Sequence, residues 1–480
     1  MAKNSSAVPS GNAAACPEIS DFDTVQEIPC TRITAIKPNR LSKRFALDGN
    51  TLIKEAGGNL TDGIAERLSV ANLTEFAALL ATLKPNQALS YGVNGHARAK
   101  VVTAEALAAA AAQTTEPVIA RTRDHFSWPR GAGVLMLDYD PAPDGPALGM
   151  EALRVALAAA CPALAAAPAI WRPSASSCIF DAKTGAELRG IAGQRLYVFV
   201  QDAQDTPRAG QRLFDRLWLG EFGRFEISKS GVLMARTLID GAVFQPERLD
   251  FCGGAECGKG LAQRLPEPIL FNSDAPFLDT RIALPDLTEE ESARLDELRA
   301  GLAASLAEER MRIREAWIAK RVDARLSALD EPTRVEARPK LERVYREAAE
   351  GGRLGLDFQL MVLPKGGKST KAAKLLTVRE LLMSLAARDR FNEATCLDPL
   401  EPDYPDGQGR FVGWICTRAR EPYLVSQAHG GTRYLLGDAP KAVEPPPLDE
   451  RYLDSIAECT AELAAVHARI FGTGAAGAGS

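Results

Sequence analysis

The sequence predicts an α+β fold: a mixed strand-and-helix unit, then a helical region, then a small α/β module. Three observations carry this. Aliphatic strand-like runs alternate with helical periodicities between about residues 130 and 240; a charged stretch with leucines at helical spacing follows a Pro- and Asp-rich break; mixed strand and turn signals return near residue 354. A length of 480 residues suits two or three domains.

Residues 1–20 are Ser-, Ala- and Pro-rich and read as a disordered N-terminus. They lack an apolar core, so no signal peptide is expected. A first domain spans 21–280. It opens with short mixed elements, including the amphipathic "NLTEFAALLATL". The strands "GVLMLDYD", "RLYVFVQD" and "GVLMARTLID" follow, with the helix "MEALRVALAAA" between the first two and "RAGQRLFDRLWLGEFG" between the second and third. After "LFNSDAPFLDTRIALPD", Thr288 and Glu291 form a capping-box pattern that opens a helical region at 287–350. Leu295, Leu298, Leu302 and Leu306 share one face there, and Arg and Lys are dense between Arg310 and Arg346. A charge run of this kind reads first as a solvated face and second as a nucleic-acid-facing helix. A small module covers 351–440, and an amphipathic C-terminal helix with a flexible tail covers 447–472.

Composition narrows the function. The formal net charge of -5 and the charged fraction of 25% exclude a wholly basic nucleic-acid coat, so any nucleic-acid contact is a local basic surface. Nine cysteines match neither a C-x2-C zinc spacing nor a dense disulfide framework; they read as free thiols in a reducing cytoplasm. His96, His125, His429 and His467 are too scattered for a histidine-rich metal site. The Ala-rich runs fall short of the roughly 20 apolar residues a membrane span needs, so a cytoplasmic protein with no membrane partner is expected. "PKGGKST" contains Gly-Lys-Ser, but Val362 stands where a P-loop needs its first glycine, which excludes that phosphate cradle.

The chemistry sits in the carboxylates. Asp138 and Asp140 end an aliphatic run and, by strand alternation, point to one face roughly 6.5–7 Å apart. Such a pair can hold Mg2+ or Mn2+, hard ions that recruit substrate phosphates, or it can be a strand running into an acidic turn. A second aliphatic run closes on Asp240, and three carboxylates with Arg195, Lys229, Arg236 and Arg248 nearby in sequence make a minimal site for triphosphate chemistry. Each of these cations can also be a surface ion pair.

At these residues the chain resembles the archaeo-eukaryotic primase superfamily. "VLMLDYD" is similar to its hydrophobic-D-x-D first motif and "LID" to its third. The setting resembles the primase-polymerases of phages, plasmids and integrated mobile elements more closely: "RTRDHFSWP" precedes motif one, the Ser-rich "RPSASSCIF" containing Ser176 follows it, and motif three runs into "VFQPERLDF". The resemblance covers about residues 25–280. It implies an RRM-like catalytic core and a nucleotidyltransferase that condenses nucleoside triphosphates on a single-stranded DNA template. It also implies Asp138, Asp140 and Asp240 as ligands of two Mg2+ or Mn2+ ions, and Arg195, Lys229, Arg236 and Ser176 as nucleotide contacts. A separate replicative helicase is the implied partner protein. The second motif departs from the family: Gly193-Gln194-Arg195 stands where small-x-His is expected. Arginine grips phosphate but shuttles no proton. A catalytically silent replication initiator with the same fold, and a metal-dependent nuclease using the same carboxylates, are the rival readings. Near the C-terminus, "SQAHGGTRYLLG" is similar to an S-x-A-H-G-G-x-x-Y-x-L module of mobile-element replication proteins, with His429 as a ligand or a structural turn.

Overall fold

All seven residues of the strand Gly133–Tyr139 are buried in the first unit. In this computed structural model the described residues are 27–438, without 50, 143–144, 192, 328, 365–371, 405–408 and 429–430. The N-terminal stretch, "PKGGKST" beyond Pro364, His429 and the C-terminal helix at 447–472 therefore lie outside the described residues.

The strand belongs to a four-stranded antiparallel sheet in the order Ile269–Phe271, Ala169–Pro173, Gln194–Val200, Gly133–Tyr139. Gly133–Tyr139 and Ala169–Pro173 both run antiparallel to Gln194–Val200, so they are parallel to each other with that strand between them. The helix Met150–Ala160 joins the two, as the apolar positions of "MEALRVALAAA" predict. Alternation then sorts the side chains. Leu196 faces that helix beside Leu157, whereas Tyr197 faces the other way, edge-on to Phe76 of the helix Leu73–Thr82 at 5.4 Å between ring centroids. That helix follows a strand of a five-stranded sheet ordered Gln87–Ser90, Ile28–Lys37, Asp62–Val70, Arg98–Val102, Val118–Ala120. One apolar core, including Phe76, Leu137, Tyr197 and Phe199, joins this layer to the four-stranded sheet and its helices.

The third expected strand is shorter than its sequence. Only Leu233–Arg236 pairs, in a hairpin with Arg224–Ile227. The Thr237 hydroxyl bonds both the N–H and the carbonyl of Ile239, which turns the chain, and Asp240 caps a single 3-10 turn instead of ending a strand. A separate hairpin, Arg44–Asp48 with Thr51–Glu55, is extended by Glu256–Cys257.

The second unit begins at the Thr288 capping box, which is present with both of its hydrogen bonds. Helices Glu289–Ser305, Ala307–Leu326 and Glu331–Gly351 lead to a seven-stranded sheet running from Arg353–Leu354 through Tyr423–Ser426 and Gly413–Cys416 to Lys374–Thr377. Trp317, Ile318, Phe358, Leu360 and Ile415 share its core, onto which Val232 of the first unit also packs. The dense Arg run works mostly inward. Arg310 and Arg314 donate to the Gly231 carbonyl, Arg321 donates to the Leu400 carbonyl, and Arg346 pairs with Glu315. Among the described residues no helix is long and apolar enough to cross a membrane.

Candidate active site

A carboxylate at the end of a fully buried strand needs a partner, because an uncompensated buried charge costs several kcal/mol or more. For Asp138, which is 9% exposed, the sheet register supplies one: Arg195 lies directly opposite on the neighbouring strand. Its Nη1 touches the Asp138 Oδ1, and its Nε donates to Asp250 Oδ1 at 3.3 Å. Asp250, 2% exposed, accepts two further hydrogen bonds, from the Tyr91 hydroxyl at 2.6 Å and the Tyr197 hydroxyl at 2.8 Å. Burial first, and the Asp250 charge second, push both phenols well above their usual range, so they remain donors. Tyr91 comes from the N-terminal layer and Tyr197 from the central sheet. The Asp138–Arg195–Asp250 row therefore ties the two layers together.

Asp140 stands two residues further on and is exposed. It lines a cavity of about 390 Å3 together with Asp240. The Asp240 N–H donates to the Asp138 carbonyl at 2.9 Å, which holds the third-motif segment against the strand end. Arg224, Arg236 and Arg248 give the same cavity its positive side. Arg236 donates to Glu226 at 3.0 Å and Arg224 donates to it at 3.1 Å. Burial pushes the Glu226 carboxyl up, but the two guanidiniums outweigh it and hold it below the usual range. Glu226 thus stays charged and orients both arginines.

The glycine of the second motif has a steric reason. A Cβ on Gly193 would lie 2.6 Å from Asp140 Oδ1 and 3.1 Å from Ser174 Oγ. The Ser-rich loop is buried behind this point, with Ser174 Oγ bonded to Ser176 Oγ at 3.2 Å and to Ser177 Oγ at 3.3 Å.

The sequence-predicted residues therefore divide. Asp140, Asp240, Arg236 and Arg248 meet at the cavity. Asp138 lies behind them with its Oδ1 occupied by Arg195. Arg195, expected as a phosphate contact, has its guanidinium between Asp138 and Asp250 and does not line the cavity, because the register points it along the buried row. Ser176 is 6% exposed and joins a serine cluster beside Gly193, away from the cavity lining. Lys229 does not line the cavity either. It sits at the hairpin tip, where its Nζ is 3.7 Å from Asp403 of the second unit. Two other quoted segments do meet: Arg121 donates to the Glu247 carbonyl at 3.1 Å and Arg123 to the Glu247 carboxylate at 3.4 Å, joining "RTRDHF" to "PERLDF".

One further cation escaped sequence reasoning. Lys43 precedes the Arg44–Asp48 strand, and its ammonium is lowered to about 8 by burial and by neighbouring Lys54, while Asp140 acts on it in the opposite direction. Phe45 opposes Lys54 in the hairpin register, so Lys43, Phe45 and Lys54 share one face. A single lysine before a short strand carries no sequence signal of this placement.

Asp140 and Asp240 offer hard oxygen donors at an open cavity, which suits Mg2+ or Mn2+. Among the described residues no group of three or more metal-ligand side chains converges; Arg195 already neutralises Asp138. Asp140, Asp240 and Glu226 line the cavity with Arg224, Arg236 and Arg248, a place for a cation and a polyanion side by side. No protein-family model, curated protein or solved structure matches the chain.

Proposed function

We propose that this chain is a template-dependent primase-polymerase of a mobile element, joining nucleoside triphosphates on single-stranded DNA. The observation that carries the reading is the cavity in which Asp140 and Asp240 face Arg236 and Arg248. The strand order supports an RRM-like core: two parallel strands joined by the helix Met150–Ala160, with Gln194–Val200 between them, form a split βαβ unit. The ordered motifs around it support the primase assignment.

In this mechanism Arg236 and Arg248 bind the triphosphate oxygens, and Glu226 keeps Arg236 aimed. Asp140 and Asp240 would hold the divalent cation. Asp138 would join them only by exchanging its Arg195 contact. When bound, the cation neutralises phosphate charge and lowers the pKa of the attacking 3'-hydroxyl. The hydroxyl oxygen bonds to the α-phosphorus, its proton passing to solvent, as the bond to the α,β-bridging oxygen breaks and pyrophosphate leaves. Arg195 stays in the buried row and fixes the strand end that presents Asp140.

Incorporation of labelled nucleotide on primed and unprimed single-stranded templates tests this. Wild type extends or initiates strands, and Asp140→Ala or Asp240→Ala lowers the rate at least about a hundredfold, the scale of a lost preorganised charge contact, with an unchanged melting profile. Full activity in either variant sinks the assignment. The Arg195–Asp138 pair also favours a second reading, a catalytically silent replication initiator that binds nucleotide or DNA. Retained binding without incorporation in wild type selects it, whereas shortening of the DNA selects a nuclease.

A further inference from the structure

The small C-terminal module has no chemical role in the mechanism above, yet it supplies one wall of the same cavity. Tyr404 and Gln427 line it opposite the first unit's carboxylates and arginines. Gln427 directly precedes Ala428 in the sequence.

The two residues are held by a common device. Asp398, 4% exposed, accepts from the Ser426 hydroxyl at 2.6 Å through one oxygen, and from the N–H groups of Leu400 and Glu401 through the other, at 2.9 and 2.6 Å. Ser426 in turn accepts from the Ala428 N–H at 3.2 Å, and the Gln427 N–H donates to Val412. The Tyr404 N–H donates to the Glu401 carbonyl at 2.9 Å. One buried carboxylate therefore fixes the loop before Tyr404 and the strand end before Gln427. The module is seated as firmly on the first unit. The Lys229 N–H donates to Glu401 at 3.2 Å, and Gly231, at a φ of +76°, packs against the helix Ala307–Leu326 that leads to the module, where a Cβ would lie 2.8 Å from the Arg314 Cβ.

The walls differ in chemistry. The first unit contributes charge of both signs. The module contributes an aromatic ring and a carboxamide, the groups that stack on a base face and bond a base edge. A nucleoside triphosphate has that same polarity, anionic at one end and a neutral heteroaromatic ring at the other. We infer that the C-terminal module completes the nucleotide site, with Tyr404 and Gln427 contacting the nucleobase of the incoming nucleoside triphosphate. This rests on the proposed function, because that reading makes the cavity a nucleotide site.

Binding of two probes to the full chain separates the outcomes: a non-hydrolysable nucleoside triphosphate and inorganic tripolyphosphate, each titrated with Mg2+ by calorimetry. Tyr404→Ala and Gln427→Ala are expected to weaken the nucleotide at least about fivefold and leave tripolyphosphate unchanged, which also shows that the variants are folded. Tyr404→Phe retains the ring and should bind nearly as wild type. Arg248→Ala should weaken both probes. If both module variants bind nucleotide like wild type, or lose both probes equally, the module contacts no base and the inference falls while the nucleotide site stands. If wild type binds neither probe, the proposed function falls and takes the inference with it.

Discussion

Asp138 and Asp140 stand two residues apart at one strand end, and they belong to different regions. Asp138 opens the buried row that runs through Arg195 to Asp250 and two tyrosines. Asp140 opens the cavity it shares with Asp240, Arg236 and Arg248. The residue types are the same, acids facing arginines. In the row every charge has a protein partner and little exposure to solvent, so its groups serve to join two layers. In the cavity the opposing charges are exposed to solvent and can exchange partners with a ligand. A charged residue's role here follows from whether its ion pair is buried between layers or open to solvent.

The sharpest way to break the row is at Asp250. Asp250→Ala leaves Arg195 with one partner and strands two buried phenols. Removing one member of a buried hydrogen-bonded pair costs about 3–5 kcal/mol. Chemical denaturation is expected to show that loss, whereas Asp240→Ala, at the cavity, changes stability by less than about 1 kcal/mol. Equal stability losses in the two variants would erase the distinction between the regions.

Much of the row's setting was legible in the sequence, and its wiring was not. The aliphatic run Gly133–Leu137 announced its strand, and the apolar spacing of Met150–Ala160 announced its helix, because both signals are local. Arg195 was legible as a residue near the site but not in its role, which depends on a register with Asp138 on a strand far away in sequence. The strand expected to end at Asp240 stopped at Arg236, since Thr237 bonds the backbone of Ile239, a short-range competitor to pairing that the aliphatic pattern conceals. Tyr404 and Gln427 reach the cavity, and Lys43 feels the Asp140 charge, from distant segments, and nothing in their own neighbourhoods marks them.

Lys43 sharpens the cavity side of the comparison through pH. Its ammonium titrates at about 8, lowered by burial and then by Lys54, so it is charged below that pH and neutral above. A neutral amine attracts no phosphate. Nucleotide kcat/KM, which reports groups of the free enzyme, should therefore fall as pH rises through about 8 in wild type. Lys43→Arg keeps its charge throughout and should flatten that limb. Lys43→Ala, which removes the titrating group, should lose the same limb. A limb that persists unchanged in Lys43→Arg assigns it to another group.

The smallest expected effect lies outside both regions, at Lys229. Its ammonium is exposed, 3.7 Å from an exposed Asp403, at the tip of the hairpin whose other end carries Arg236 into the cavity. An ion pair of this kind contributes about 0–1 kcal/mol, with solvent and salt screening both charges. The contact that seats the tip is made by the Lys229 backbone N–H to Glu401, and substitution of the side chain preserves it. Lys229→Ala should therefore leave nucleotide KM within about twofold of wild type at any salt concentration, whereas Arg236→Ala, only seven residues further on, should raise it at least about tenfold, the loss of a charge-assisted contact. Steady-state incorporation across a nucleotide series reads both. A tenfold KM rise in Lys229→Ala would return that lysine to the triphosphate and require the hairpin tip to leave Asp403 when substrate binds.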